Sequence, residues 1–292
     1  MSEAIAALNV DLNLGQRQEV RASARGFADQ AERNGWSRLA AHARYLEGRA
    51  ASLSQDYPAA RTLFEAAARA AADAGADDLA VAAWVNLIPM LIESGQSADA
   101  RALLTAADTA VRRNGNRPDD RYELLEAEGM LRASDGALAE ARTLLTEALA
   151  LAQRDLPADL AAQIQALANL ARIESEAEDH AAAVAHSQLH LELCERQLGT
   201  HHPVYAQCLA EHGQILGRAQ QLARAREILT QAVAELEAAH GADSNLVAVT
   251  LQSLANAEED PAAAAAPLAR AVAILEHPNA PALGRALLGL AR

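Results

Sequence analysis

An alanine recurs at an almost constant interval along most of this chain, and this period limits what the chain can fold into more than any other feature. Successive members of the series are about 40 to 42 residues apart. Such a period is typical of repeat proteins, in which each unit packs on its two neighbours and no single central core is needed. The series consists of Ala60, Ala100, Ala141, Ala183 and Ala225.

The clearest copy of the repeat is at residues 81–111, and it predicts two helices around one turn at Gly95. Small residues let two helices approach closely, and large residues fill the adjacent hole. Pro89 lies inside the first helix, where we expect it to kink the helix or to begin its last turns. The residues with helical spacing are Trp84, Leu87 and Leu91 before the turn and Ala100, Leu104 and Ala107 after it.

The repeat predicts an all-α fold, an α-α superhelix (a solenoid) of about six to seven helix–turn–helix units with a 40–42 residue period. We expect a divergent helical pair at residues 1–36 and the repeat array at 37–278. Residues 279–292 form either a capping helix or a truncated repeat; we expect the latter, because a cap has a polar outer face. The predicted helix pairs are 2–12 with 16–34, 38–53 with 57–73, 78–94 with 97–113, 119–134 with 137–153, 158–176 with 180–198, 203–218 with 222–240, and 244–258 with 261–276.

The chain is acidic, with a formal net charge of −14 and a pI near 5.1. Phosphate binding needs a basic surface, so this balance disfavours nucleic acid and also an anionic membrane face. The longest mostly apolar run, residues 79–92, is too short to span a bilayer. The first residues have no basic start followed by an apolar core, so we expect no signal peptide there, and two cysteines alone suggest neither a disulfide nor an oxidising compartment. We therefore expect a cytoplasmic protein.

Both cysteines and six of the nine histidines lie within residues 180–212. His186, His190 and Cys194 follow at i, i+4 and i+8, and Cys208 and His212 at i and i+4 of the next predicted helix. Two such helices could form a tetrahedral Zn²⁺ site, because this spacing puts cysteine and histidine ligands on one face. The alternative is core packing, because two of the histidines occupy packing positions and cysteine behaves as a small apolar residue. We expect core packing, no metal and no cofactor.

The loop residues Leu198, Gly199, His202 and Pro203 precede a predicted first helix. With the W-x-x-L, G and A-x-x-x-L-x-x-A pattern of residues 81–111, they resemble tetratricopeptide repeats (TPRs) of the kinesin-light-chain type. The period exceeds that of an ordinary TPR, which is about 34 residues, and this implies longer helices and loops. The resemblance implies a superhelix that binds a protein or peptide in its concave groove.

Residues 37–87 resemble a more particular group, the C-terminal TPR region of bacterial eukaryotic-like serine/threonine protein kinases of the myxobacterial kind. In that family the kinase domain lies upstream. This sequence has no G-x-G-x-x-G loop, no H-R-D and no D-F-G motif, so we expect it not to phosphorylate anything. The resemblance implies a region that recruits substrates or partners to a kinase.

The first helix of each pair is expected on the concave face of the superhelix. Asn86 and Asn169 could pair with the backbone of an extended peptide, because an amide group both donates and accepts hydrogen bonds. Arginines on this face could hold acidic side chains of a ligand; the alternative is that all these side chains are ordinary solvated surface residues. The candidate ligand-binding residues are Tyr45, Arg49, Asn86, Asn169, Arg172, Gln214 and Arg218. Also expected on this face are His42, Val85, Pro89, Ile92, Glu123, Glu126, Met130, Gln165, Glu176 and Gln207.

The sequence therefore predicts a non-catalytic scaffold that binds a protein or peptide, as the interaction region of a larger signalling protein such as a bacterial serine/threonine kinase. The alternative is a regulatory domain that senses a ligand or peptide and changes its superhelical pitch on binding. No catalytic residues are predicted, because no carboxylate pair lies in an apolar stretch and no nucleophile or phosphate-loop signature is present. The sequence does not predict the oligomeric state.

Overall fold

Fourteen α-helices and no β-strand make up the part of the chain that the computed structural model describes, which is residues 2–13, 17–54 and 56–276. The all-α class is confirmed, and the predicted helix ends differ from the observed ones by at most two residues. The predicted terminal helix at 279–292 lies outside the described residues. The helices are α1 (Ser2–Asn13), α2 (Arg17–Arg33), α3 (Ser37–Leu53), α4 (Tyr57–Asp73), α5 (Asp77–Glu93), α6 (Ser97–Arg113), α7 (Pro118–Ser134), α8 (Leu138–Asp155), α9 (Leu160–Glu176), α10 (His180–Leu198), α11 (Pro203–Arg218), α12 (Leu222–His240), α13 (Asn245–Asn256) and α14 (Pro261–Glu276).

The helices form two compact units, Met1–Leu156 with α1 to α8 and Pro157–Arg292 with α9 to α14. Within each unit, consecutive helices pack as hairpins, and each hairpin packs on the next. The segment limits predicted from the repeat, 1–36, 37–278 and 279–292, stay predictions. No described helix has both the length and the apolar character that crossing a membrane requires.

In the described chain, four of the turns inside the hairpins contain a residue with a left-handed backbone. Gly95, between α5 and α6, has a φ of +72°, and the N–H of Gln96 donates across the turn to the carbonyl of Leu91 at 2.7 Å. This bond closes the end of α5 because it satisfies a carbonyl that the helix itself leaves unpaired. In the later hairpins Glu178 and Gln220 take the same conformation, with φ of 61° and 59°.

The two helices of a hairpin cross closely where a glycine of the first meets a large side chain of the second. A Cβ added to Gly213 of α11 would lie 2.7 Å from the Cγ of Leu229 on α12. Gly48 meets Phe64 and Gly129 meets Leu145 in the same way. All five alanines of the periodic series are fully buried, so the repeat register is confirmed: Ala60, Ala100, Ala141, Ala183 and Ala225.

Trp84 of α5 packs partly buried against three clusters of buried side chains, which include Ala68, Ala80 and Ala107. Its role in packing is therefore confirmed, although the side chain is not completely enclosed. α5 continues through Pro89 to Glu93. Because proline has no N–H, the carbonyl of Val85 lacks its usual helical donor there.

Replacing Gly213 with alanine is expected to lower the free energy of unfolding by about 1–3 kcal/mol, because the new methyl group overpacks against the buried Leu229. The matched control is Gly217→Ala on the same helix, where an added Cβ meets no described atom within 4 Å. That change should raise the free energy of unfolding by about 0.5–1 kcal/mol, because alanine has a higher helix propensity than glycine. Urea unfolding followed by circular dichroism measures both; a shift of equal size and sign in the two variants would contradict the packing account.

Replacing Trp84 with alanine is expected to cost about 3 kcal/mol, because it empties a space shared by several helices. The other tryptophan is the control: Trp36 is 45% exposed, and Trp36→Ala should cost less than about 1 kcal/mol. Thermal and urea unfolding of the two variants make the comparison. A loss below about 1 kcal/mol for Trp84→Ala would show that this side chain does not hold the hairpins together.

Candidate functional site

A cleft of about 320 Å³ lies between α9 and α11. These are the first helices of two successive hairpins, and they contact each other directly. All four of the candidate binding residues predicted for this unit line the cleft, together with two further residues that we expected on the concave face. The lining consists of Gln165, Ala168, Asn169, Arg172, Glu176, Glu211, Gln214, Ile215 and Arg218.

Helical spacing explains why these side chains share one surface. On α9 the polar residues follow Gln165 at i+4, i+7 and i+11, and on α11 they follow Glu211 at i+3 and i+7. Residues three, four and seven apart lie on one side of an α-helix. The opposite side of each helix carries buried packing residues such as Leu170 and Leu216. The same helices therefore form the core and the cleft.

The cleft carries both positive and negative side chains, and one arginine and one glutamate among them form an ion pair. Nη1 of Arg172 lies 3.0 Å from Oε1 of Glu176, and both side chains are partly exposed. Exposed pairs of this kind contribute little to stability, so a ligand carboxylate can replace Glu176 at the guanidinium at small cost. Glu211 of α11 also lines the cleft, and its side chain is about half exposed. Desolvation there raises the pKa of its carboxyl group, and the nearby Arg172 opposes the shift.

A second cleft of about 330 Å³ continues along α11 to α13, and Gln214 and Arg218 line both clefts. Its other polar side chains include Ser253 and Asn256, which the sequence reasoning missed. The repeat register could have identified Asn256, because it lies one full repeat after Gln214, which itself lies one full repeat after Arg172. One polar position per repeat is therefore presented along α9, α11 and α13.

The candidate residues of the first unit also lie near one another. Nδ2 of Asn86 donates to the carbonyl of Ala82 at 2.8 Å and to the hydroxyl of Tyr45 at 3.4 Å. Burial raises the pKa of the Tyr45 hydroxyl, the charge of Arg49 opposes this shift, and the charge of Glu123 adds to it. Both donor contacts of Asn86 are thus made within the protein, which leaves the acceptor oxygen of its amide for the predicted contact with a peptide.

The two cysteines form a disulfide that joins α10 to α11, with Cα atoms 6.8 Å apart. The expectation of no disulfide is wrong. Counting cysteines gave no information on whether Cys194 and Cys208 face each other. Both are buried on the facing sides of adjacent helices, which brings their sulfur atoms together.

The structure brings together only three of the five residues that the sequence suggested as zinc ligands. The Nε2 atom of His190 lies 3.5 Å from Sγ of Cys208, and Cys194 completes the group. The other two histidines have partners elsewhere: Nδ1 of His186 lies 2.7 Å from a carboxylate oxygen of Glu174, and Nδ1 of His212 lies 2.9 Å from the hydroxyl of Ser187. Their rotation on the helices removes them from the cluster.

Burial and, to a smaller extent, the charge of the nearby His212 lower the pKa of His190 to about 4. Burial likewise lowers the pKa of His212 to about 4, with a smaller contribution from Arg224. Both imidazoles are therefore neutral at pH 7. His186 behaves in the opposite way, because its hydrogen bond to Glu174 raises its pKa.

These shifts predict a loss of stability in mild acid. As the pH falls from 7 to 5, histidines of the unfolded chain, with a pKa near 6.5, take up protons before His190 and His212 do. Each should contribute a loss of about 2 kcal/mol over this range. The difference in free energy of unfolding between wild type and His212→Gln, measured by urea unfolding at each pH, isolates the contribution of His212. If this difference does not change between pH 7 and 5, the loss of stability does not come from the lowered pKa of His212.

Comparison with known proteins bears on the fold of the chain. Residues 163–234, from within α9 to within α12, match the family model described as tetratricopeptide repeat. No curated protein sequence matches the chain at a significant level.

Solved structures with the same fold span most of the described array. TPR-like repeats of a kinesin light chain from Podosopora anserina match with a TM-score of 0.52 and 21% identity, over 65% of this chain and 92% of that one. The APC/C hetero-tetramer Cut9–Hcn1 matches with a TM-score of 0.63 and 18% identity, over 92% of this chain and 46% of that one. A STAND signal transduction ATPase with a tetratricopeptide repeat sensor, from Pyrococcus horikoshii, matches with a TM-score of 0.59 and 12% identity, over 98% of this chain and 48% of that one.

The chain is thus similar to TPR proteins, kinesin-light-chain repeats among them, and its fold is a TPR-type solenoid. At these identities the likeness concerns the fold alone. This chain covers about half the length of the second and third chains. The resemblance of residues 37–87 to kinase-associated repeats stays a prediction.

Proposed function

We propose that this chain is a non-catalytic scaffold that binds an extended segment of a partner protein along α9, α11 and α13. The observation that carries this proposal is the pair of connected clefts, which share Gln214 and Arg218. A surface that runs across several first helices suits a long, narrow ligand better than a compact small molecule, which usually needs an enclosed and mainly apolar pocket.

The spacing of the polar side chains supports an extended ligand. Arg172, Gln214 and Asn256 occupy the same repeat position on three successive first helices. Helices in contact lie about 10 Å apart, which corresponds to about three residues of an extended chain. A peptide crossing the helices would therefore meet one polar side chain for each such step. Amide and guanidinium groups bind backbone carbonyls without regard to sequence, which favours tolerant recognition.

Charge provides the selectivity in this proposal. Arg172 and Arg218 supply guanidinium groups that can form paired hydrogen bonds with a carboxylate, and Asn169 lies beside them. Glu176 and Glu211 on the same surface disfavour a ligand with many negative charges. The ligand that fits best is an extended peptide with isolated acidic residues, and not a uniformly acidic tail or a nucleic acid.

We propose that the array serves as the interaction region of a larger signalling protein, such as a bacterial serine/threonine kinase, in the cytoplasm. The resemblance of residues 37–87 to kinase-associated repeats supports this context. The STAND protein from Pyrococcus horikoshii is a signalling protein that carries a tetratricopeptide repeat sensor. That precedent favours the second candidate, a regulatory domain in which the same groove senses a peptide and the array changes pitch.

The groove is tested with a library of immobilised peptides that vary in the spacing of acidic residues, probed with the full chain. Arg218→Ala should weaken binding of the selected peptides by about tenfold, because it removes a charge-assisted contact. Gln214→Ala, Asn169→Ala and Arg172→Ala should each have a smaller effect, and Asn86→Ala and Arg49→Ala test the predicted contacts of the first unit. The matched control is Arg224→Ala, an exposed arginine on α12 that is absent from both cleft linings.

Equal affinity for wild type and Arg218→Ala would show that Arg218 does not contact the peptide. A library with no binder above background would contradict the proposal that the two clefts bind a peptide. Small-angle scattering of the chain with and without a selected peptide separates the two candidates. An unchanged radius of gyration supports a scaffold, and a ligand-dependent change supports a sensor.

A further inference from the structure

The cluster of His190, Cys194 and Cys208 is unused by the proposed groove and is the most concentrated set of metal-binding atoms in the described chain. The three side chains are 4%, 0% and 2% exposed. Their ligand atoms all lie within 4.8 Å of one another. Two sulfur atoms and one imidazole nitrogen therefore converge at one buried point between α10 and α11.

The distances within the cluster suit a tetrahedral ion. A thiolate sulfur and an imidazole nitrogen bound to the same Zn²⁺ are about 3.6 Å apart, given bonds of about 2.3 and 2.05 Å at the tetrahedral angle. The observed distance from Sγ of Cys208 to Nε2 of His190 is 3.5 Å. His190 and Cys194 lie four residues apart on α10, so both side chains project from one face toward Cys208 on α11.

The surroundings of His190 also fit a metal ligand. A carboxylate oxygen of Glu211 lies 3.7 Å from Nδ1 of His190, which is not the ring nitrogen that faces Cys208. A metal-bound histidine usually has a carboxylate, a backbone carbonyl or a water at its second ring nitrogen, and at 3.7 Å the Glu211 carboxylate is an ion-pair neighbour of Nδ1 without a hydrogen bond to it. Core packing alone does not require a carboxylate at that position.

We propose that, once the disulfide is reduced, Cys194, Cys208 and His190 bind one Zn²⁺ ion. A thiol or phosphine reductant supplies two electrons and is itself oxidised, the S–S bond breaks, and each sulfur takes a proton from water. Zn²⁺ then displaces the two thiol protons into solvent, forming two Zn–S bonds and one Zn–N bond to Nε2 of His190. A water molecule occupies the fourth position, as in other zinc sites with three protein ligands.

The backbone separation leaves room for this exchange. Two thiolates on one Zn²⁺ lie about 3.8 Å apart, compared with about 2.05 Å in a disulfide. The Cα atoms of Cys194 and Cys208 are 6.8 Å apart, at the wide end of what a disulfide spans. The same two helices are therefore joined covalently under oxidising conditions and through the ion under reducing conditions. This proposal does not depend on the peptide groove.

The test uses the full chain without an affinity tag, reduced with a phosphine and kept free of oxygen. Co²⁺ replaces Zn²⁺ as a spectroscopic probe, because cobalt–thiolate charge-transfer bands and the visible bands of tetrahedral cobalt report on the ligands. We expect about one equivalent of Co²⁺ with both sets of bands, displaced by about one equivalent of Zn²⁺. The oxidised chain should bind less than about a tenth of an equivalent, because its sulfurs are not available.

His190→Ala and Cys208→Ser should weaken binding at least tenfold, and the matched control His201→Ala, which removes a histidine that is 92% exposed, should bind as wild type does. Unchanged binding in His190→Ala, binding without thiolate bands, or less than about a tenth of an equivalent in the reduced wild type would overturn the site. Circular dichroism verifies that each variant is folded. If a variant is not folded, the comparison of Co²⁺ binding by reduced and oxidised wild type still tests whether the two cysteines bind the metal.

Discussion

Three of the described hairpins depend on a close crossing of their two helices at a glycine. At Gly213 the absence of a Cβ lets Leu229 of α12 contact the backbone of α11, and Gly48 and Gly129 do the same for Phe64 and Leu145. Burial of apolar side chains in these crossings is the main source of helix stability in a repeat array, because isolated helices of this length are marginal in water. The groove on the other side of α9 and α11 exists because the crossings fix the orientation of these helices.

Much of this arrangement could be predicted from the sequence, because local rules determine it. The series from Ala60 to Ala225 gave the period and the buried positions, and Gly95 marked a turn that requires a left-handed backbone. The turns at Glu178 and Gln220 adopt the same backbone without glycine, and only the period identifies them. The four predicted groove residues of the second unit meet because each pair shares one face of its helix, and these faces of α9 and α11 line the same cleft.

The parts that could not be predicted depend on the rotation of one helix against another. His186 and His190 are four residues apart, yet one contacts Glu174 and the other faces Cys208. The pairing of Cys194 with Cys208, and the use of the Asn86 amide by Tyr45 and Ala82, depend on distances of a few ångströms between helices. Helical periodicity assigns a residue to a face, but it does not determine which neighbour that residue meets.

A single turn of α11 shows what the narrow crossing means for the evolution of this protein. Glu211 and Gln214 line the cleft, His212 is buried against Ser187, and Gly213 receives Leu229. Four consecutive residues thus serve binding, core packing and helix contact at once. A substitution that changes the ligand preference in this turn is also expected to affect the packing of the helices. New specificities should therefore arise first at positions such as Asn256, a cleft residue at the end of α13.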